Sequence, residues 1–118
     1  MIKTEIISGN ALQIIMPETL KADDFRQLAP QVDAIIAQYG KIKLFIDASK
    51  FSGWESVEVF ETHINFVKTH QEKVERIAVL TGYVWQNWLV SFAKMFVHPA
   101  IRSYDKDMAN EAMEWLLE

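Results

Sequence analysis

The sequence contains no cysteine, and its four glycines are isolated from one another over 118 residues. Without thiols the chain forms no disulfide, no thiolate metal site and no cysteine nucleophile, which suits a reducing cytosol. Because the glycines are scattered, there is no glycine-rich loop to cradle a phosphate. Lysine and arginine number 12 against 16 aspartates and glutamates, for a formal charge of −4. An acidic chain of this kind lacks the electrostatic footprint of a nucleic-acid binder.

Half of the residues are hydrophobic, which excludes a disordered chain and allows one domain with a buried core. The sequence has no repeat, linker or low-complexity tract, so we expect a single domain over residues 1–118. The longest uncharged stretch, 17 residues between Arg76 and Lys94, approaches the length of a transmembrane helix. Gly82 interrupts it, and the N-terminus does not resemble a signal peptide. We therefore expect a soluble cytoplasmic protein, with peripheral contact at the inner membrane face.

The first part of the chain predicts a hairpin followed by a helix. Two β-rich runs, 2–8 and 11–16, flank Gly9-Asn10, which is typical of a β-hairpin. Apolar residues recur at helical spacing over 22–39, and Gly40 supplies the C-terminal stop. A proline inside this stretch, Pro30, removes a backbone donor, so we expect a kink or a break there.

The rest of the chain alternates between strands and helices. Strands are predicted over 41–48, 76–81 and 101–104, and helices over 54–70, 83–97 and 107–117. The order ββαβαβαβα predicts an α/β fold with a mixed, mostly parallel sheet of about five strands covered by four helices. The first strand should pair antiparallel at one edge. Functional sites in such sheets lie beyond the carboxyl ends of the strands.

Several short segments, taken together, resemble the SpoIIAA-like family. They are Leu20-Lys21-Ala22-Asp23-Asp24-Phe25, Pro30, Tyr39-Gly40-Lys41, Asp47, Gly53-Trp54-Glu55, Glu75-Arg76-Ile77-Ala78-Val79, the tryptophans near Trp85, and Glu111-Ala112-Met113-Glu114-Trp115-Leu116. That family is related to STAS domains and shares features with the lipid-carrying CRAL-TRIO (Sec14-type) fold. The resemblance implies a small α/β domain and, through the lipid-carrier branch, an apolar ligand bound at or near a membrane.

One segment departs from the family pattern. STAS-type anti-sigma-factor antagonists place a phosphorylatable serine in an Asp-Ser-Ser-Gly-Leu-like turn, whereas residues 47–54 read Asp-Ala-Ser-Lys-Phe-Ser-Gly-Trp. The missing serine pair argues against sigma-factor regulation by phosphoserine. Ser49 and Ser52 are nevertheless candidate phosphorylation sites. For Ser52 we favour helix capping, because Ser52 and Glu55 match the capping-box pattern S-x-x-E.

The predicted helix over 83–97 is the most distinctive segment. At 100° per residue most of its large apolar side chains fall on one stripe, with only one charged residue, Lys94, in the helix. The stripe consists of Trp85, Trp88, Leu89, Phe92, Met95 and Phe96. Such a stripe is typical of core packing, but tryptophan also favours membrane interfaces. We predict that it contacts lipid or a ligand, with Trp54, Phe60 and Ile64 as the facing wall. In the helix predicted to follow Trp54, Phe60 and Ile64 share one apolar stripe with Val57 and Val67.

No catalytic or metal site emerges from the pattern. His63 and His70 lie about 10.5 Å apart along a helix axis, which is too far to share one ion, and His98 is not placed near them. Asp47 and Asp105 follow strands, where carboxylates more often cap turns, and neither pairs with a nucleophile. We therefore expect no enzyme activity, no metal and no cofactor.

These observations favour non-enzymatic binding of a nonpolar ligand, a lipid or fatty acid. Helix 83–97 would act as a mobile lid or membrane-docking element whose open state is selected in apolar surroundings. The alternative is a STAS-type protein-interaction module that acts through the loop 47–54. A third interpretation makes the apolar stripe the seam of a homodimer.

Overall fold

The computed structural model describes residues 1–82 and 100–118. At its centre is a five-stranded sheet with the strand order β1-β2-β4-β6-β7. Its strands are β1 (Lys3–Ser8), β2 (Ala11–Ile15), β4 (Ile42–Ala48), β6 (Val74–Thr81) and β7 (Ala100–Asp105). β1 runs antiparallel to β2 at one edge, and the other neighbouring pairs are parallel. The predicted hairpin and the predicted mixed, mostly parallel sheet are confirmed.

Two layers of helices cover this sheet. Within the described ranges the helices are α1 (Ala22–Tyr39), α2 (Val57–His70) and α3 (Ala109–Leu117), and short 3-10 turns occupy Gln71–Lys73 and Lys106–Met108. The predicted helix over 83–97 lies outside the described residues. None of the helices in the described ranges is long and apolar enough to cross a membrane.

The ends of α1 follow from local chemistry. Asp24 closes the first turn, because its Oδ2 accepts a hydrogen bond from the backbone N–H of Lys21 at 2.9 Å. At the other end Gly40 adopts a left-handed conformation with φ 82°, and its N–H donates to the carbonyl of Ile36. The helix therefore ends at the glycine that the sequence predicts.

The predicted break at Pro30 is wrong, since α1 is one continuous helix of 18 residues. Pro30 lies on the exposed side of the helix. Leu28 and Val32, on either side of it in the chain, are buried against the sheet. This packing holds the helix together across the one hydrogen bond that the proline removes.

The chain between β4 and α2 also differs from the prediction. Instead of a helix that starts at residue 54, Gly53–Trp54 forms a short strand, β5, which pairs in parallel with β3 (Thr19–Leu20). α2 begins three residues later, where the Ser56 hydroxyl accepts a hydrogen bond from the N–H of Val59 at 3.3 Å. Ser56 is therefore the N-cap, and the capping role predicted for Ser52 is wrong.

Each face of the sheet has its own core. On one face α1 and α2 cover a large cluster that includes Leu12, Phe25, Val32, Leu44, Val59, Ile77 and Val79. On the other face α3 packs a smaller cluster of Phe45, Ala78, Leu80, Ala112, Trp115 and Leu116. The alternation of inward residues along β4 and β6 serves both clusters, which explains why these central strands read as continuous apolar runs.

Candidate functional site

The loop after β4 begins with a turn that Asp47 organises. Its Oδ1 accepts two hydrogen bonds from Ser49, one from the backbone N–H at 3.0 Å and one from Oγ at 2.6 Å. This is the capping of a turn that strand-end aspartates commonly perform. Ser49 is half-buried, and its hydroxyl is already committed to the carboxylate.

The middle of the loop is attached to the segment that precedes α1. The carbonyl of Glu18 accepts hydrogen bonds from Ser52 through its N–H at 2.8 Å and its Oγ at 2.9 Å. Further on, the N–H of Glu55 donates to the carbonyl of Leu20 at 2.9 Å. Ser52 itself is exposed, so its hydroxyl fixes the loop while remaining at the surface.

Gly82 supports the loop from the neighbouring strand. A Cβ at this position would lie 2.7 Å from the carbonyl oxygen of Ser49. No side chain fits in that space, so the residue after β6 must be glycine for the two strand ends to approach this closely. The backbone of the loop is thus held from β4, from β6 and from the segment before α1.

Trp54 connects the loop to α2. Its indole Nε1 donates a hydrogen bond to Nδ1 of His63 at 3.0 Å. The ring also makes edge-on contacts with Phe51 and Phe60, with centroid distances of 5.2 and 4.7 Å. Burial lowers the pKa of His63 from 6.5 to about 4, so its ring is neutral at physiological pH and Nδ1 is available as an acceptor.

A cavity of about 140 Å³ lies between the sheet, α1 and α2. The described residues that line it are mostly apolar, and Trp54 and His63 are among them. Phe60 and Ile64, predicted as further wall residues, are half-buried but do not line the cavity. Of the three residues predicted to face helix 83–97, Trp54 lines this cavity and Phe60 contacts the Trp54 ring, while helix 83–97 itself lies outside the described residues.

The surface next to the loop carries an apolar residue that the sequence pattern had placed inside. Val57, predicted to share the inward stripe of α2, is 70% exposed. It stands at the first turn of α2, and Lys50, Ser52 and Glu55 nearby in the chain are also exposed. Helical periodicity did not predict the exposure of Val57, because the pattern does not show at which residue the helix starts.

His70 and Asp105 have different surroundings. His70 contacts Asp33 through Nε2 at 2.9 Å and the carbonyl of Phe66 through Nδ1 at 2.8 Å. The described ranges contain no cluster of three metal-ligating side chains. Asp105, the last residue of β7, is exposed.

The remaining predicted contacts fall outside the described residues. They are Trp85, Trp88, Leu89, Phe92 and Phe96 of the predicted lid, and His98.

Comparison with known proteins places this architecture in a family. The SpoIIAA-like family model matches residues 11–117, so the chain belongs to the SpoIIAA-like family. The crystal structure of an uncharacterized DUF3478-family protein with a SpoIIAA-like fold from Shewanella loihica PV-4 is similar, with a TM-score of 0.79. The two chains are 21% identical, and the match covers 98% of this chain and 93% of that one. A search of curated proteins finds no match. Neither similarity supports the CRAL-TRIO (Sec14-type) features that the sequence suggested.

Proposed function

We propose that this chain is a non-enzymatic, STAS-type protein-interaction module that acts through the loop 47–54 and the first turn of α2. The family and fold carry this class of function, and the exposed Val57 beside the loop supports this surface as the contact site, because it is an apolar side chain held out into solvent next to a fixed backbone. Membership of the SpoIIAA-like family, which is related to STAS domains, supports the same class of function.

The loop is built for binding with little reorganisation. Its backbone is fixed through Asp47, the carbonyl of Glu18 and the close approach of Gly82. A preorganised loop loses less conformational entropy when a partner docks, so more of the contact energy appears as affinity. Lys50 in the loop and Glu55, two residues before Val57, are exposed and opposite in charge, and Glu55 pairs with Lys21 at 4.0 Å. Charges of both signs favour specificity rather than bulk attraction.

Phosphorylation of Ser52 would act on this surface directly. The Ser52 hydroxyl now donates to the carbonyl of Glu18, and a phosphate would replace that donor with negative charge facing an acceptor. The loop would then lose one of its contacts with the segment before α1, while the backbone hydrogen bonds of Ser52 and Glu55 remain, and the added charge would change the surface that a partner meets. Ser49 is less suited to phosphorylation, because its hydroxyl donates a hydrogen bond to the carboxylate of Asp47.

Site-specific photo-crosslinking in the cell tests the proposal. A photoreactive amino acid is placed at Val57 or Lys50, and the matched control carries it at Tyr39, which is 50% exposed at the end of α1. We expect one discrete crosslinked partner from positions 57 and 50 and none from position 39. Identical products from all three positions would contradict an interaction surface at the loop, and a product that contains two copies of this chain would make the partner a second copy.

The cavity favours a second candidate function, the binding of a nonpolar molecule. An engineered apolar cavity of about 150 Å³ binds benzene, whereas pockets for drug-sized ligands start at about 300 Å³. A cavity of about 140 Å³ is of the size that holds a small apolar molecule. Native mass spectrometry of freshly purified protein distinguishes the two functions. An added mass that disappears on denaturation supports a carrier, and a clean apo mass supports the interaction module.

A further inference from the structure

Three basic residues lie side by side on the face of the sheet that α3 covers. Lys43 of β4 is in register with Arg76 of β6, and Arg102 of β7 pairs with Ala78, two residues beyond Arg76. Residues in register lie on the same face, on strands about 4.8 Å apart. Lys43 and Arg76 are therefore direct neighbours and Arg102 is the diagonal neighbour of Arg76. We call Lys43, Arg76 and Arg102 the basic row.

Trp115 of α3 holds both guanidinium groups. The Cζ atoms of Arg76 and Arg102 lie 5.1 and 4.8 Å from the centroid of the Trp115 ring. Arg76 also donates from Nη1 to the carbonyl of Trp115 at 2.6 Å. Trp115 is buried, so the two side chains are positioned by a rigid platform. Cation–π contacts fix a guanidinium group but leave its positive charge in place.

In the described part of the chain no carboxylate forms a salt bridge with the basic row. Among the described residues the salt bridges are Lys21–Glu55, Arg26–Asp23 and His70–Asp33, and none includes a residue of the row. Residues 83–99 contain no aspartate or glutamate and cannot supply a partner. Like charges directly opposite each other on neighbouring strands destabilise a sheet. A bound anion would remove that repulsion.

We propose that the basic row binds a single oxyanionic group, a phosphate or a carboxylate. The planar guanidinium group of an arginine donates two parallel N–H hydrogen bonds to such a group, and the ammonium group of a lysine adds a compact positive charge. A polyanion fits less well, because the chain around the row carries a net charge of −4 and repels an extended negative partner. Arg76 lies near the start of β6, the end away from the loop 47–54, so this site is separate from the proposed interaction surface.

Titration of the full ¹⁵N-labelled chain, followed by NMR, tests the proposal. One series adds inorganic phosphate with the ionic strength held constant by sodium chloride, and a second adds a capped peptide that contains a single glutamate. We expect saturable shifts of the Lys43, Arg76 and Arg102 amides and of the Trp115 indole N–H. Replacement of one charge, in Arg102→Gln or Lys43→Gln, should weaken binding about tenfold. The control Arg26→Gln removes an arginine that pairs with Asp23 on α1, and it should bind as the parent does.

The outcomes distinguish the two sources of the oxyanionic group, a free phosphate and an acidic side chain of a partner protein. Saturation with phosphate identifies a free phosphate ligand, and saturation with the peptide alone identifies an acidic side chain of a partner protein. Shifts that do not saturate with either probe, or saturable shifts that Arg102→Gln leaves unchanged, would overturn the proposal. Arg102 is exposed, so its replacement should not prevent folding, and Lys43→Gln decides the question if it does.

Discussion

The indole N–H of Trp54 donates to Nδ1 of His63 across 3.0 Å, which joins the short strand β5 to the middle of α2. Since Nδ1 is the acceptor, the imidazole must carry no proton on that nitrogen. Burial enforces this state by lowering the pKa of His63 to about 4. The pair therefore connects the loop to the helix only while His63 is neutral.

This relationship makes the stability of the fold depend on pH. Between pH 6.5 and about 4 the unfolded chain binds a proton at His63 that the folded chain does not, so the free energy of unfolding falls as the pH is lowered. The full loss amounts to about 3.5 kcal/mol at ~1.4 kcal/mol per pKa unit, of which about 2.5 kcal/mol falls between pH 7 and 4.5. Urea unfolding of the parent and of His63→Leu at pH 7 and at pH 4.5 measures this loss. The carboxylates titrate in both proteins, so the difference between the two pH slopes isolates the contribution of His63. An identical pH slope in parent and variant would contradict the assignment.

Gly82→Ala should destabilise the protein by about 1–3 kcal/mol, the usual cost of forcing an extra methyl group into a packed site. The new Cβ would lie 2.7 Å from the carbonyl oxygen of Ser49, and a backbone atom cannot move aside as the end of a flexible side chain can. Denaturant unfolding measures the effect. Gly53→Ala is an informative comparison, since no atom lies within 4 Å of its Cβ position and any loss there arises from its φ of 159° alone. Equal stability of Gly82→Ala and the parent would show that the two strand ends are not in close contact.

Asp47→Asn and Asp47→Ala separate geometry from charge in the turn after β4. Asparagine keeps an Oδ1 acceptor for the N–H and hydroxyl of Ser49, whereas alanine removes it. We expect a loss of about 1–2 kcal/mol for alanine and a smaller loss for asparagine. Thermal unfolding of both variants provides the comparison. If both lose the same stability, the negative charge matters and the hydrogen-bond geometry does not.

Asp24 should be the most sensitive carboxylate in α1. It is 5% exposed and accepts the N–H groups of Lys21 and Ile2 with its two oxygens. Asp24→Ala leaves both donors without that partner, so we expect a loss of about 2–4 kcal/mol. Its exposed neighbour Asp23, which pairs with Arg26, provides the control, and Asp23→Ala should cost less than about 1 kcal/mol. Similar unfolding midpoints for the two variants would contradict the capping role of Asp24.

The sequence predicts the main sheet well because its strands are apolar runs separated by helical periodicity. It misses β3 and β5, since strands of two residues carry no periodic signal and depend on hydrogen bonds between distant segments. The start of α2 was placed too early for a related reason. The pattern from Ser52 to Glu55 looks like a capping box, but β5 occupies residues 53–54 and shifts the cap to Ser56.

The candidate functional residues likewise include some that the sequence predicts and some that it misses. Trp54 was predicted as part of the wall that faces helix 83–97, and the structure puts it in the wall of the cavity between the sheet, α1 and α2. The exposure of Val57 could not be predicted, because one helical stripe looks the same whether its first residue is covered or not. The basic row depends on strand register, which brings Lys43 and Arg76 together across 33 positions of the chain. No local pattern in the sequence contains that information.

The pairing of β3 with β5 makes the loop and the beginning of α1 one mechanical unit. Ser52 is bound to the carbonyl of Glu18, and Glu55 to that of Leu20, so a displacement of the loop is transmitted to the first turn of the longest described helix. α1 runs from there to Tyr39, close to the start of β4 at Ile42, which is the end of the strands opposite the loop 47–54. A partner that binds the loop would therefore be connected, through α1, to the end of the strands farthest from its binding surface.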